Sequence, residues 1–254
     1  MNRGWVVCGV LVGGLVGVLT QAPAAWLAPL VDHASDTRLQ LNQTSGTVWQ
    51  GKSQLVVVGG PGDNAAVALP GTLSWRVVPT WAGLRIDLSA PCCTAKPLSM
   101  AWAPSWGGWS LRLQDGESQW PAALLSGLGA PWNTLELVGQ LRLKTEALVL
   151  QSSGEKLALG GAAQLDALAL SSRLSTLRPL GSYRLRLTTG VAAPTLALAT
   201  IEGGLQLSGA GQWTGANWRF VGEASAAPEL EAVLGNLLNI VGRRQGAKSR
   251  ITLG

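Results

Sequence analysis

Apolar and polar residues alternate one for one in segment after segment of this chain, a period that suits a pleated strand and no helix. Thr72-Leu73-Ser74-Trp75-Arg76-Val77, Leu84-Arg85-Ile86-Asp87-Leu88 and Trp109-Ser110-Leu111-Arg112-Leu113 all follow it. Leu135-Glu136-Leu137, Leu141-Arg142-Leu143-Lys144, Tyr183-Arg184-Leu185-Arg186-Leu187 and Leu205-Gln206-Leu207 continue it. Successive side chains of a strand point to opposite faces, so each segment predicts a half-buried antiparallel strand. Gly, Pro and Ser pairs separate the segments at the short intervals of a meander. Two stretches depart from the pattern. Pro121 to Leu128 predicts a short helix, with Pro at its first position and Gly129 just past its end. Pro228 to Val241 predicts an amphipathic helix with Leu230, Val233, Leu234, Leu237, Leu238 and Val241 on one face. Glu229 and Glu231 suit its first turn, and Gly242 suits a cap at its end. A short strand around Ile251 to Leu253 closes the chain. The expected fold is mainly β: a curved, mostly antiparallel sheet with a C-terminal amphipathic helix.

The N-terminus carries a different signal. Arg3 is the only charge before an apolar run from Trp5 to Leu19. Such a run makes roughly 22 Å of helix, slightly short of a bilayer core. Thr20 and the stretch from Ala22 to Leu30, with Trp26 as an interfacial residue, are expected to complete the span. No Lys or Arg recurs before Arg38, so the positive-inside rule puts the N-terminus in the cytoplasm. Residues 1–30 are thus expected to form a cytoplasmic tip and single-pass signal-anchor, and residues 31–254 an exported domain. Ala22-Pro23-Ala24 offers the competing reading of a cleaved signal peptide; the body of the chain is exported either way. Gly9, Gly13 and Gly17 recur every four residues, which would place them on one helix face for contact with another membrane helix.

Some 220 exported residues suffice for one large β domain or two small ones. Charged residues make up only 13% of the chain, the balance of +5 is spread along it, and no basic patch interleaves with aromatics, which argues against nucleic acid. The apolar content excludes a disordered tail. Three cysteines do not make a disulfide framework. Cys8 lies in the apolar run; for the neighbours Cys92 and Cys93, intermolecular pairing, a vicinal bridge and free thiols all remain open, while no CxxC spacing or nearby His favours zinc.

Catalytic chemistry is hard to find. The single His, His33, stands beside Asp32 and Ser35, but triad members meet from distant parts of a fold, not in sequence. No G-x-S-x-G elbow occurs. Asp63, Asp87, Asp115, Glu117 and Asp166 are scattered without pairing logic. The cluster Arg243, Arg244, Lys248 and Arg250 could meet anionic headgroups or complement the dipole of the preceding helix. Gly46 to Ser53, GTVWQGKS, spells a P-loop letter for letter. Its interior of Thr47, Val48, Trp49 and Gln50 is too bulky for a phosphate nest, and Leu55 to Val58 continue as a strand, not a helix. No cofactor is expected.

The same octapeptide contributes to a resemblance. Trp26-Leu27-Ala28-Pro29, Gly46-Thr47-Val48-Trp49-Gln50-Gly51, Leu69-Pro70-Gly71-Thr72-Leu73-Ser74-Trp75 and Leu180-Gly181-Ser182-Tyr183-Arg184 resemble type II secretion system protein N, as does the ending from Asn236 to Gly246 with Arg243 and Arg244. The resemblance runs nearly end to end. It implies a non-enzymatic accessory or scaffold subunit in the inner membrane with a periplasmic domain, working with inner-membrane platform proteins and the secretin. The β-rich body is also similar to AsmA-like envelope proteins, which implies as the alternative a periplasmic protein that binds lipid or another apolar ligand.

Overall fold

The computed structural model describes residues 13–14, 17–59, 65–154, 156–190, 193–215 and 217–253. Strands account for most of them: β1 (Leu39–Gly46), β2 (Gln50–Val58), β3 (Ala66–Ala68), β4 (Leu73–Thr80), β5 (Gly83–Ser89), β6 (Leu98–Ser105), β7 (Gly108–Leu113) and β8 (Gly116–Pro121) form the first half. The second half holds β9 (Val138–Ser153), β10 (Lys156–Ser171), β11 (Gly181–Thr188), β12 (Thr195–Gly203), β13 (Leu205–Trp213), β14 (Trp218–Ala226), β15 (Arg243–Gln245) and β16 (Lys248–Leu253). Besides the helical residues 17–20, the helices α1 (Leu27–Ala34), α2 (Trp132–Leu135) and α3 (Glu231–Val241) accompany them.

All the described strands join one antiparallel sheet, in the order β1-β2-β4-β5-β6-β7-β9-β10-β11-β12-β13-β14-β16-β15, with β3 beside β2 and β8 beside β9. Nearly every strand pairs with its sequence neighbour, which is the meander that the alternating segments predict. Bulges interrupt it where the ladder slips by a residue. Gln43, Ala147 and Ala169 take positive φ of 53°, 48° and 49° at those slips. A bulged residue loses its ladder partner. Asp115 Oδ1 accepts the Ala147 N–H at 2.6 Å, and Ser182 Oγ accepts that of Ala169 at 3.0 Å. Bulges bend strands and raise their twist locally.

One face of the sheet is covered. A 3-10 segment (Ala122–Leu128), α2, the connection at 172–180 and α3 bury Leu135, Leu141, Tyr183, Leu205 and Ala224 together with Leu234, Leu237 and Leu238. A second, smaller cluster gathers Leu69, Ala90 and Cys93 against Leu55, Leu73, Trp120 and Leu124. Trp120 touches both clusters. At the first edge α1 packs along β1, the cover that an exposed edge strand needs.

Several expectations need correcting. Leu135-Glu136-Leu137 is not a strand: Leu135 ends α2, Glu136 turns left-handed at φ 41°, and both leucines reach the same core. The helix from Pro121 is a 3-10 segment, and Pro121 itself closes β8. Pro228–Leu230 is 3-10 before α3 begins, and Val233 of the expected apolar face stays exposed. Gly242 is extended rather than a left-handed cap; a Cβ there would meet the Arg250 carbonyl of β16.

The N-terminal helix also ends earlier than expected. Gln21 N–H still bonds the Gly17 carbonyl, but Ala22 and Pro23 then leave the helix to pair with the β1–β2 turn. Ala22 to Leu30 therefore does not extend the preceding helix. Among the described residues no helix is long and apolar enough to cross a membrane. The run from Trp5 to Leu19 falls largely outside those residues, as does Gly9 of the glycine face; Gly13 and Gly17 have no atom against the position of a Cβ.

Candidate functional site

The octapeptide with the P-loop spelling builds a junction. Gly46 ends β1 at φ 95°, a conformation open to glycine, and Thr47 to Trp49 make the turn into β2. Gly51 stands opposite Trp75 of β4, and the indole lies where a Cβ on Gly51 would be. That ring is 6% exposed, and its Nε1 donates to the carbonyls of Val48 at 3.1 Å and Thr47 at 3.3 Å. Gln50 N–H donates to Thr47 Oγ1 across the turn at 3.1 Å. Trp49 reaches the other way, its Nε1 donating to the Leu19 carbonyl at 2.7 Å. Val48 N–H adds a bond to the Ala22 carbonyl at 2.8 Å. The end of the N-terminal helical segment is thus tied to the first hairpin at several points. Ser53, the hydroxyl of the spelled motif, is buried and donates to the Asn42 carbonyl at 2.8 Å. Strand–turn–strand leaves no cradle of free N–H groups for a phosphate here.

Gly181 and Tyr183 repeat the device in the second half. A Cβ on Gly181 would crowd the Tyr183 hydroxyl and the Glu202 carbonyl. Tyr183 is buried, its hydroxyl donates to the Leu205 carbonyl at 3.1 Å, and burial pushes the phenol well above its usual range. Arg243 and Arg244 lie on β15, far along the sheet from Trp49 and Trp75. Arg244 Nε donates to the Gly246 carbonyl at 2.7 Å and its Nη1 to the Gly235 carbonyl at 3.4 Å, while Arg243 stands opposite Arg250. Lys248 pairs with Glu223 at 3.1 Å. The last turn of α3 is served by Ser249, which donates to the Leu238 carbonyl at 2.6 Å. The residues that carry the resemblance are thus spread over three places and form no single site.

The acidic residues each have a structural partner. Asp87 accepts from Ser99 Oγ at 2.6 Å, Asp115 holds the bulge at Ala147, and Glu117 lies 3.2 Å from Arg142. Asp63 lies outside the described residues. Asp166 is the most built of them. Its oxygens accept Arg184 Nε at 2.7 Å and Nη2 at 2.9 Å, with Gln164 Nε2 at 3.1 Å. The Arg184 hydrogen bonds hold this carboxyl below the usual carboxylate range, against the opposing pull of burial. A depressed folded-state value stabilises the fold above the unfolded value of about 4, and the gain is lost as pH falls below that. Asp166→Asn is expected to cost ~1–3 kcal/mol at pH 7. The gap between the thermal melts of parent and variant should be constant above about pH 5 and narrow progressively as pH falls below about 4 and through the depressed folded value; a gap that does not narrow in acid contradicts the assignment.

His33, Asp32 and Ser35 make no triad: Ser35 Oγ donates to the Asp32 main-chain carbonyl at 3.2 Å and accepts the Leu39 N–H at 2.9 Å, closing α1 onto β1. Among the described residues no group of three His, Cys, Asp or Glu is placed to hold a metal ion. Cys92 and Cys93 are bonded to each other, which selects the vicinal bridge from the open alternatives. Cys93 is buried in the smaller cluster, and its carbonyl accepts the Gln119 N–H at 2.8 Å, so this turn closes the outer edge of β8. Among the described residues, open notches with mixed polar walls lie on the strands, such as that between Arg85, Met100, Arg112 and Asp115. The arrangement offers surfaces and a fixed junction rather than an enclosed reaction site.

Residues 37–252 match the family described as type II secretion system (T2SS), protein N. No curated protein and no solved structure matches the chain.

Proposed function

The chain belongs to the type II secretion system protein N family, and from that premise we propose that it serves as a non-enzymatic scaffold subunit, held in the inner membrane by its N-terminal run with the sheet in the periplasm. The observation that carries this reading is the junction at Trp49 and Trp75. A subunit that must present a surface to neighbours at a fixed height needs its anchor coupled rigidly to its body. Trp49 Nε1 on the Leu19 carbonyl, and Ala22 paired to the first hairpin, provide such a coupling. The partners are the inner-membrane platform proteins and, across the periplasm, the secretin. The solvent-facing side of the sheet, with its short edge strand β15, is the surface offered to them.

The test is in vivo photocrosslinking scanned over the solvent face of β1 to β16, beside a deletion strain. Capture of a platform protein or the secretin, with export of folded exoproteins reduced in the deletion strain, is expected. Unchanged export in that strain would count decisively against the reading. The lipid-binding alternative has less support, because α3 and the 3-10 segment already fill much of the apolar face. Native mass spectrometry with a stoichiometric lipid bound would reverse that order.

A further inference from the structure

Two tryptophans have no place in the packing at all. Trp81 is 102% exposed and Trp106 105%, the full area of a free indole. Each sits at the tip of a tight hairpin: Thr80 pairs with Gly83 around the first, and Ser105 with Gly108 around the second. Tight turns call for Gly, Asn or Asp, and nothing in their geometry asks for an indole. Ala82 and Gly107 beside them add no walls against which a ring could rest. Leaving so much apolar area in water is costly, so the tips are built to meet something.

The topology says what lies nearby. β4 and β6 run in the same direction two places apart, so both tips fall on one rim, roughly 10 Å from each other. The β1–β2 turn belongs to that rim too, because the Trp49 carbonyl accepts the Val77 N–H of β4 at 2.7 Å. Trp49 in turn holds Leu19, the last residue of the apolar run that begins at Trp5. Val18 and Leu19, each more than half exposed, and Trp26 at 53% complete the group. The end of the apolar run, two bare indoles and the half-exposed Trp26 therefore share one rim. Indoles are at home at the headgroup level, with an apolar ring and one donor.

We infer that this rim docks on the bilayer, with Trp81 and Trp106 inserted at the headgroup boundary beside the N-terminal run. The inference rests on the reading of that run as a membrane anchor. It makes the sheet stand on its membrane by three points rather than hang from one. The same two residues fix which rim faces the membrane, and so which rim, with α2 and the start of α3, points away from it.

The test uses the full chain reconstituted into phosphatidylethanolamine–phosphatidylglycerol vesicles with brominated acyl chains, which quench nearby indoles. Trp5, Trp26, Trp49, Trp81 and Trp106 lie on the run or on its rim, as do Trp213 and Trp218 at the β13–β14 turn, so Trp81→Ser with Trp106→Ser should reduce the quenched emission by roughly a third. Trp132→Ser, on the opposite rim, should leave it unchanged. The double variant should melt with the parent, since the tip rings contact no core. A double variant that quenches like the parent, or a Trp132→Ser loss of equal size, overturns the inference. Carbonate extraction of the same vesicles reads the anchor separately. A chain released by carbonate overturns the anchor reading. A chain that resists carbonate, with tips that make no difference to quenching, overturns the docked rim alone.

Discussion

Trp75→Ala is expected to destabilise the chain by ~3–5 kcal/mol, the range for removing a buried indole from a packed site. The ring is 6% exposed, fills the space above Gly51, and bonds two carbonyls of the preceding turn. Its loss leaves a cavity and orphans both carbonyls at once, and neither effect can relax without moving β2 against β4. A drop of about 6–20 °C in the melting transition follows for a domain of this size. Trp75→Phe should fall between the two, because it refills the space over Gly51 but restores no donor. If Trp75→Phe were as damaging as Trp75→Ala, the indole N–H would carry the effect and the packing would not.

The second large effect lies at the opposite end of the sheet. Leu234→Ala should cost ~2–5 kcal/mol, since Leu234 is fully buried with Leu237 and Leu238 among the partners of α3. Sites this far apart share no partners, so the double variant should lose the sum of the two within ~0.5 kcal/mol. Amide exchange gives the sharper check. Strands that contact only their neighbours open locally, as in repeat arrays. Trp75→Ala should accelerate exchange across β1 to β5 while β11 to β14 keep their protection, and Leu234→Ala should do the reverse. Uniform acceleration in either variant would mean that the sheet opens as one unit.

Much of the sheet was legible in the alternation, and the failures have physical causes. Thr72 to Val77 and Tyr183 to Leu187 became β4 and β11 because both faces of a strand must be served at period two. Leu135-Glu136-Leu137 satisfied the same lettering, yet a helical end followed by a left-handed residue puts both leucines in one core. Three residues cannot distinguish the two. Of the 16-residue strand β9 only Leu141 to Lys144 stood out, and the equally long β10 not at all, since a bulge resets the period. On β9 the apolar positions are odd at Leu141 and Leu143 and even at Leu148 and Leu150, with the bulged Ala147 between. That change of parity is visible in the sequence to an eye that looks for it.

The junction was legible as lettering but not as a site. Trp49, Gln50 and Gly51 stood out, whereas their work of gripping Leu19 depends on a contact 30 residues away in sequence. Cys92 and Cys93 left three outcomes open because backbone geometry at that turn, not spacing, selects among them. The tryptophans could not be sorted at all. Trp75 and Trp81 stand six residues apart with similar neighbours, yet one is buried and the other bare. Only strand register separates them.

The order of strands carries a consequence for how the chain is made. A polypeptide emerges N-terminus first, and in this sheet each new strand finds its partner already made. β8 and β15 are the exceptions among the described strands, and each waits only for the strand that follows it. Contacts stay short in sequence, so closure entropy stays small at every step. The sheet can therefore zip up behind the advancing chain, with only its newest edge unpaired at any moment, until α3 caps its face and β16 and β15 close its last edge. Growth by addition at one edge keeps a 14-strand row of hydrogen-bonding groups from ever being open at once.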